Sequence, residues 1–204
     1  MNNRITTRYD AHMIVTTDIP LPLRNARVHE ACGPGAVSFA AVTAAGGGAV
    51  LWVREAWQAE TINPVGLSTF FDPSNMLLVQ TKNQTETLAV AEEALKDGTV
   101  LLVIIETCRP LNLREGRRLQ LAARAGKSTG LCLIPEGMGS NAAETRWYCA
   151  PVFAEGDSTL MRWKIIKNKS GTYGDWYVRW NAEARRIDVV SPAGERSGSA
   201  DALD

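Results

Sequence analysis

The chain has 204 residues, 45% of them hydrophobic, which suits one domain with a packed core and is short for two. Lysine plus arginine and aspartate plus glutamate balance at 22 each, which argues against a dedicated electrostatic binder of nucleic acid or membranes. No apolar run approaches the roughly 20 residues of a membrane span, and the N-terminus lacks the apolar segment of a signal peptide. We therefore expect a cytoplasmic protein with no membrane partner.

The cysteines are too few and too scattered to form a disulfide framework or a metal site. They are Cys32, Cys108, Cys132 and Cys149, and no two of them form a CxxC pair. Most lie within or beside apolar runs, which favours reduced, buried thiols. With two histidines in the whole chain, we expect no bound metal.

The two ends of the chain differ from its middle. Residues 1–26 show little periodicity, and the prolines within 19–23 favour an extended arm, because proline fixes φ and biases the preceding residue away from helix. Residues 191–204 are rich in Ser, Gly, Ala and Asp, which predicts a disordered tail. We expect residues 27–190 to form a single domain.

Uninterrupted apolar runs recur through the first two thirds of that domain. They are residues 50–53, 76–79, 100–105 and 131–134. Because none of them alternates polar with apolar residues, they indicate strands that are buried on both faces. Such strands are typical of a parallel sheet covered by helices.

Helices are predicted over residues 84–97 and 113–125, between those strands. An asparagine precedes each helix as an N-cap, with a glutamate three residues later, and a glycine is placed to end each of them (Gly98 and Gly126). Strand and helix therefore alternate, which indicates βαβ units.

Beyond about residue 144 the apolar segments become shorter and are separated by turns. They are residues 145–153, 161–167, 175–180 and 185–190. This pattern favours antiparallel strands that extend the same sheet. The predicted fold class is α/β, with a mainly parallel central sheet and an antiparallel C-terminal extension.

The first strand-to-helix turn is where a parallel α/β sheet would hold a phosphate. Its sequence, Gly33-Pro34-Gly35-Ala36, has glycines like those of the phosphate loop GxxxxGK[ST]. Counted from Gly33, the lysine position is Phe39, and counted from Gly35, the lysine and hydroxyl positions are Ala36 and Val37. Without that lysine and hydroxyl, charge on a transferred phosphoryl group has little to offset it. We interpret the turn as a degenerate phosphate loop.

Several stretches of the chain resemble RecA and, more closely, the ImuA family of RecA-like proteins. The stretches that carry the ImuA resemblance are 28–30, 50–55, 92–95, 117–123, 143–147 and 168–171. The resemblance covers about residues 25–180. It implies a RecA-like three-layer fold.

The resemblance also implies a function. ImuA proteins act in SOS-induced translesion DNA synthesis with ImuB, an inactive Y-family polymerase homologue, and an error-prone replicative-type polymerase. RecA is a further candidate partner. The implied role is that of a non-catalytic accessory protein that binds other proteins and needs no cofactor.

Some RecA positions carry over by this resemblance. Glu55 matches the glutamate that polarises the attacking water, and Glu106 matches the Walker B aspartate. Lys167 and Lys169 match lysines that reach nucleotide across a filament interface. Pro135 departs from the family, because it stands where RecA has a nucleotide-sensing glutamine.

Other functions compete with this interpretation. The densest basic cluster consists of Arg109, Arg114, Arg117 and Arg118, and it is a candidate DNA contact, although no aromatic residue is interleaved for base stacking. A SulA-type SOS inhibitor of cell division, which would bind a tubulin-like division protein, is the main alternative. A residual ATPase or a DNA-binding protein is another. An exposed tryptophan at the antiparallel edge would mark a partner site.

Overall fold

The fold is built around a nine-stranded sheet, seen in a computed structural model that describes residues 14–15, 19–153 and 159–190. Its strands are β2 (Val28–Cys32), β3 (Val50–Glu55), β4 (Met76–Thr81), β5 (Leu102–Glu106), β6 (Thr129–Leu133), β7 (Thr145–Pro151), β8 (Leu160–Asn168), β10 (Asp175–Asn181) and β11 (Arg186–Val190). Two further short strands, β1 (Ile14–Val15) and β9 (Thr172–Tyr173), pair in parallel as a separate small sheet.

The strand order across the large sheet is β11-β10-β8-β7-β2-β6-β5-β3-β4. From β7 to β4 every neighbouring pair is parallel. Beyond β7, the strands β8, β10 and β11 continue the sheet in antiparallel pairs. The predicted parallel sheet with an antiparallel C-terminal extension is therefore confirmed.

Helices cover both faces of the sheet and complete three layers. They are α1 (Ala36–Ala44), the single turn α2 (Pro64–Leu67), α3 (Gln84–Asp97) and α4 (Leu113–Gly126), with a short 3-10 helix at Pro73–Asn75. The core under α1 is aromatic, since the Phe39 ring lies 5.1 Å from Trp147 and 4.9 Å from Trp163. The core under α3 and α4 is mainly aliphatic.

The caps of the two long helices follow the predicted pattern. The side chain of Asn83 accepts a hydrogen bond from the Glu86 N–H, and Gly98 closes α3 with a φ of +77°. Asn112 and Glu115 form a reciprocal capping box at the start of α4. Since each cap uses atoms within a few residues of the helix end, the sequence alone predicts it.

Two local predictions are wrong. Strand β4 lies at the edge of the sheet, so Leu77 and Leu78 are exposed rather than buried on both faces. Gly126 is the last residue of α4, and the left-handed position that ends the helix is taken by Lys127 with a φ of +55°.

The predicted division into an arm, a domain and a tail stays a prediction, and the tail at 191–204 lies outside the described residues. No helix within the described ranges is both long enough and apolar enough to cross a membrane.

Candidate functional site

A cleft of about 540 Å³ opens at the carboxyl edge of the parallel strands. Its apolar wall comes from the start of α1 and the end of β6, its floor from the end of β5, and its rim from the loop after β3. The residues in that order are Ala36, Val37, Leu133, Ile134, Pro135, Glu106, Thr107, Cys108, Trp57, Gln58, Ala59 and Glu60. A second hollow of about 270 Å³ shares Val37, Glu60 and Glu106 with it. Ligands of parallel α/β sheets bind at this edge.

The degenerate loop between β2 and α1 packs against the backbone of β7. Gly33 has a φ of +88°, and a Cβ atom there would lie 2.6 Å from the Cys149 carbonyl oxygen, so only glycine fits. The Gly35 N–H donates to that same oxygen at 2.8 Å. The Ala36 N–H donates to the Gly33 carbonyl at 3.1 Å. A phosphate-binding loop would direct such amides at its anion, whereas these two bond within the protein.

Glu106 is held by residues of the neighbouring strand β3. Its Oε1 accepts a hydrogen bond from Trp52 Nε1 at 2.7 Å, and its Oε2 lies 3.3 Å from Arg54 Nη2. Arg54 is 4% exposed and also donates to the Glu60 carbonyl and the Gln58 side chain, each at 2.6 Å. Burial raises the pKa of Glu106, although the indole and the guanidinium act in the opposite direction. Arg54 offsets the charge of Glu106 inside the protein.

Glu55 and Glu106 do not come together in the cleft. Side chains alternate between the two faces of a strand, and Val53 and Glu55 share the parity of the α3 face, whereas Glu106 follows Ile104 on the α1 face. Glu55 is 7% exposed, and its Oε2 accepts a hydrogen bond from Trp57 Nε1 at 2.7 Å. The two carboxylates that the RecA resemblance matches to catalytic positions therefore belong to opposite faces of the sheet.

Cys108 is the one half-buried cysteine, and it lines the cleft. Its Sγ accepts a weak hydrogen bond from Gln58 Nε2 at 3.4 Å. Burial, followed by the hydrogen bond and charge of Glu55, raises the pKa of the thiol. A raised pKa keeps this sulfur protonated, which does not suit a nucleophile or a metal ligand.

Lys167 and Lys169 lie at the opposite, amino-terminal edge of the parallel strands, because β8 runs antiparallel to β7. Lys167 Nζ donates to the Ala143 carbonyl, and Lys169 Nζ donates to the Ala142 carbonyl at 2.6 Å. Burial is the main reason that the pKa of Lys167 is lowered. Both ammonium groups therefore hold the 142–143 turn against the end of β8.

The four arginines of the basic cluster separate into two kinds. Arg109 pairs with Glu115 at 2.7 Å and Arg118 with Glu92 at 2.5 Å. Arg114 and Arg117 are exposed on α4, and their side chains have no hydrogen bond or ion pair among the described residues. Only half of the predicted DNA contact is thus available to an external anion.

Three residues at the cleft were not predicted from the sequence, namely Arg54, Trp57 and Glu60. The tryptophans of the antiparallel strands are buried or half-buried, and the exposed tryptophan is instead Trp57 at the cleft rim, where 65% of it is accessible. Arg54 follows a buried apolar run directly, and that charge was the available signal for an internal ion pair. Within the described residues, no group of three or more His, Cys, Asp or Glu side chains is placed to hold a metal ion.

The chain resembles known proteins in sequence and in fold. It is 31% identical over 152 residues to Protein ImuA of Caulobacter vibrioides strain NA1000 / CB15N, and equally to Protein ImuA of strain ATCC 19089 / CIP 103742 / CB 15. Each alignment covers 72% of this chain and 59% of the relative, so the chain spans about three fifths of the length of these curated proteins. No family profile matches.

Among solved structures, the crystal structure of the RadB recombinase matches with a TM-score of 0.59 and 14% identity. The match covers 81% of this chain and 91% of that one. At this identity the likeness shows the fold alone, and it confirms the RecA-like three-layer prediction. Over the region aligned with the curated proteins, the chain is a homologue of the ImuA proteins.

Proposed function

We propose that this chain is a non-catalytic RecA-like accessory protein of SOS-induced translesion DNA synthesis, and that it works in the cytoplasm by binding an ImuB-type inactive Y-family polymerase homologue. RecA and an error-prone replicative-type polymerase are further partners in this proposal. Direct contact with DNA is weak or absent in it.

One observation carries the proposal. In a homologue of the ImuA proteins, the turn that would cradle a phosphate directs the N–H groups of Gly35 and Ala36 at internal carbonyls. Neither lysine nor arginine is among the described residues that line the larger cleft. Phosphoryl transfer depends on positive charge and aligned donors at the phosphates. This arrangement supports a protein-binding role in place of ATP hydrolysis.

Nucleotide binding is the direct test of the non-catalytic part. Calorimetry with ATP and magnesium should show no binding heat at a protein concentration of about 100 μM, which is near the weakest dissociation constant of interest. A phosphate-release assay should show no turnover above buffer. Tight binding, together with turnover that disappears in Glu55→Gln, would contradict the proposal.

Partner capture tests the second part. Immobilised chain should retain an ImuB-type protein from the same genome at concentrations of roughly 1 to 10 μM. A catalytically complete Y-family polymerase from the same genome is the matched control and should pass through. If the ImuB-type protein instead passes into the flow-through at these concentrations, the proposed role is contradicted.

A further inference from the structure

The electrostatics of the cleft suit a cation rather than a phosphate. The ionisable groups that line the larger hollow are the carboxylates of Glu60 and Glu106 and the thiol of Cys108. Glu106 is already offset by Arg54, at 3.3 Å. Glu60 is exposed, and its carboxylate has no ion pair or hydrogen bond among the described residues. An incoming phosphate would meet a like charge here, whereas an incoming cation would meet a free carboxylate.

An aromatic ring lies three residues before that carboxylate on the same loop. The indole of Trp57 is 65% exposed, yet its Nε1 donates to Glu55 Oε2 at 2.7 Å. Glu55 itself is 7% exposed, so the ring is attached to a buried anchor. A cation over the face of an indole is attracted by its quadrupole. A large aromatic residue held in place at the rim of a concave surface is also the residue type most enriched at binding hot spots.

The wall of the cleft that is formed by the start of α1 and the end of β6 is apolar. Val37 is 49% exposed at the start of α1, and Pro135 follows β6 on the same side. They offer contact for an aliphatic chain that carries its charge at the tip. The second hollow, which Arg54 also lines, adjoins the first through Val37, Glu60 and Glu106 and leaves room for a neighbour of the inserted residue.

We propose that this cleft binds an arginine side chain of a partner protein, with the guanidinium between Trp57 and Glu60. The aliphatic stem packs on Val37 and Pro135. Arginine fits better than lysine, because its planar group stacks on an indole and donates two parallel hydrogen bonds to one carboxylate. The inference rests on the proposed function, since it assigns the surface that a partner protein would use.

A second copy of this chain is a poorer occupant. The lysines that the RecA resemblance would direct at such a cleft, Lys167 and Lys169, donate to the backbone carbonyls of Ala143 and Ala142. Removing them from those carbonyls would leave acceptors without donors. The arginine of a different protein carries no such cost.

The probe is the capped tripeptide acetyl-Leu-Arg-Leu-amide carrying fluorescein, compared with the same peptide in which citrulline replaces arginine. Citrulline keeps the shape and removes the charge. By anisotropy, the arginine peptide should bind the full chain at least about tenfold more tightly than the citrulline peptide. The unlabelled arginine peptide should shift the Trp57 indole N–H resonance in solution NMR spectra.

Two cleft variants test the assigned groups. Trp57→Ala and Glu60→Gln should each weaken binding of the arginine peptide by roughly fivefold or more. Their matched controls are Leu121→Ala and Glu93→Gln, which remove an exposed apolar group and an exposed carboxylate outside the cleft. Because both cleft residues are exposed, the variants should fold. Equal affinity for the two peptides, or unchanged affinity in both cleft variants, would overturn the inference.

Capture of the ImuB-type protein separates this inference from the proposed function. If the wild-type chain and both cleft variants retain that protein equally, the proposed function stands and the cleft is not its binding surface. If the wild-type chain does not retain it, yet binds the arginine peptide through Trp57 and Glu60, the proposed function fails and the cleft inference stands.

Discussion

The imidazole of His29 is 1% exposed and bonds through both of its nitrogens. Nε2 lies 2.9 Å from the Arg24 carbonyl oxygen, which can only accept, so this nitrogen carries the proton. Nδ1 then accepts from the Thr145 hydroxyl at 2.7 Å, and that hydroxyl accepts from Trp147 Nε1 at 2.9 Å. Every group in this chain of hydrogen bonds has one role, and the roles require a neutral ring.

Acid should therefore destabilise the protein through His29. Burial lowers the pKa of this ring in the folded state. The stabilisation is complete above about pH 6.5, the pKa of an unfolded histidine, and is lost as the pH falls from there through the lowered pKa. In His29→Gln, whose amide can replace both hydrogen bonds, the free energy of unfolding by urea should fall less over that range. His12→Gln is the matched control. Identical pH dependence in wild type and His29→Gln would contradict this assignment.

The same strand carries a buried ion pair. Glu30 is 1% exposed, and its two carboxylate oxygens accept from the Ser140 N–H at 2.8 Å and from Arg146 Nε at 2.7 Å. Arg146 Nη2 also donates to the Ser140 carbonyl at 3.0 Å. Strand β2, the 139–141 loop and strand β7 are thus connected through one carboxylate.

Removing one partner of this pair should cost more than removing both. Arg146→Met leaves the Glu30 carboxylate buried without its cation, and we expect a loss of about 3 to 5 kcal/mol in the free energy of unfolding. The double variant Arg146→Met with Glu30→Gln removes the unpaired charge and should recover a large part of that loss. Urea unfolding of the two singles and the double measures the coupling. Additive losses would contradict the role of Glu30 as a buried, paired charge.

At the scale of secondary-structure elements, the ends of α3 and α4 pack closely against each other. Gly126 lies inside the last turn of α4, where a Cβ atom would collide with the carbonyl oxygens of Leu95 and Lys96. Glycine is needed there for close approach, and the left-handed turn that ends the helix falls on Lys127 instead. The requirement for glycine comes from contact with α3. The sequence of α4 alone therefore predicts where the helix ends, but not why residue 126 must be glycine.

Gly126→Ala should accordingly destabilise the protein, although alanine is the better helix former. Collision with a fixed backbone should cost about 1 to 3 kcal/mol. Gly66→Ala is the matched control, because a Cβ atom at that helical glycine would meet only the Asn63 Cβ, at 4.0 Å, and the substitution should change stability by less than about 1 kcal/mol. Thermal unfolding of both variants gives the comparison. A Gly126→Ala protein as stable as wild type would show that the helices can separate at no cost.

The helices and strands were predictable because they depend on local sequence, whereas the site was not because it depends on how the strands are arranged in the sheet. Helix 84–97 and the parallel strands depend on caps and apolar runs within one segment, so local sequence specifies them. The separation of Glu55 from Glu106 depends on which face of two adjacent strands each side chain takes. The charge of Arg54 after an apolar run indicates an internal ion pair, but its partner Glu106 becomes apparent only when β3 and β5 lie side by side. Similarly, β4 could not be assigned to the sheet edge from its own apolar residues, because strand order is a property of the whole fold.

For the whole molecule, the balance of charge limits the number of unpaired cationic side chains that could contact DNA phosphates. The chain is formally neutral, with 22 basic and 22 acidic residues. Arg109, just before α4, and Arg118, on α4, are neutralised by Glu115 and Glu92. This leaves Arg114 and Arg117 as the available guanidiniums of the predicted cluster, too few to follow a phosphate backbone over several nucleotides.

Binding of single-stranded DNA should therefore be weak and should depend only shallowly on salt. Two phosphate contacts give a slope of about −1.4 for log K against log[salt], or a loss of about sevenfold between 50 and 200 mM. Arg114→Ala with Arg117→Ala should remove this binding, because these guanidiniums have no internal partner among the described residues. In the comparison double variant Arg109→Ala with Arg118→Ala, Glu115 and Glu92 lose their cationic partners and add local negative charge, so binding should weaken in part rather than disappear. Anisotropy of a fluorescent oligonucleotide measures both. A slope steeper than about −4 would instead indicate a continuous basic surface that contacts DNA directly.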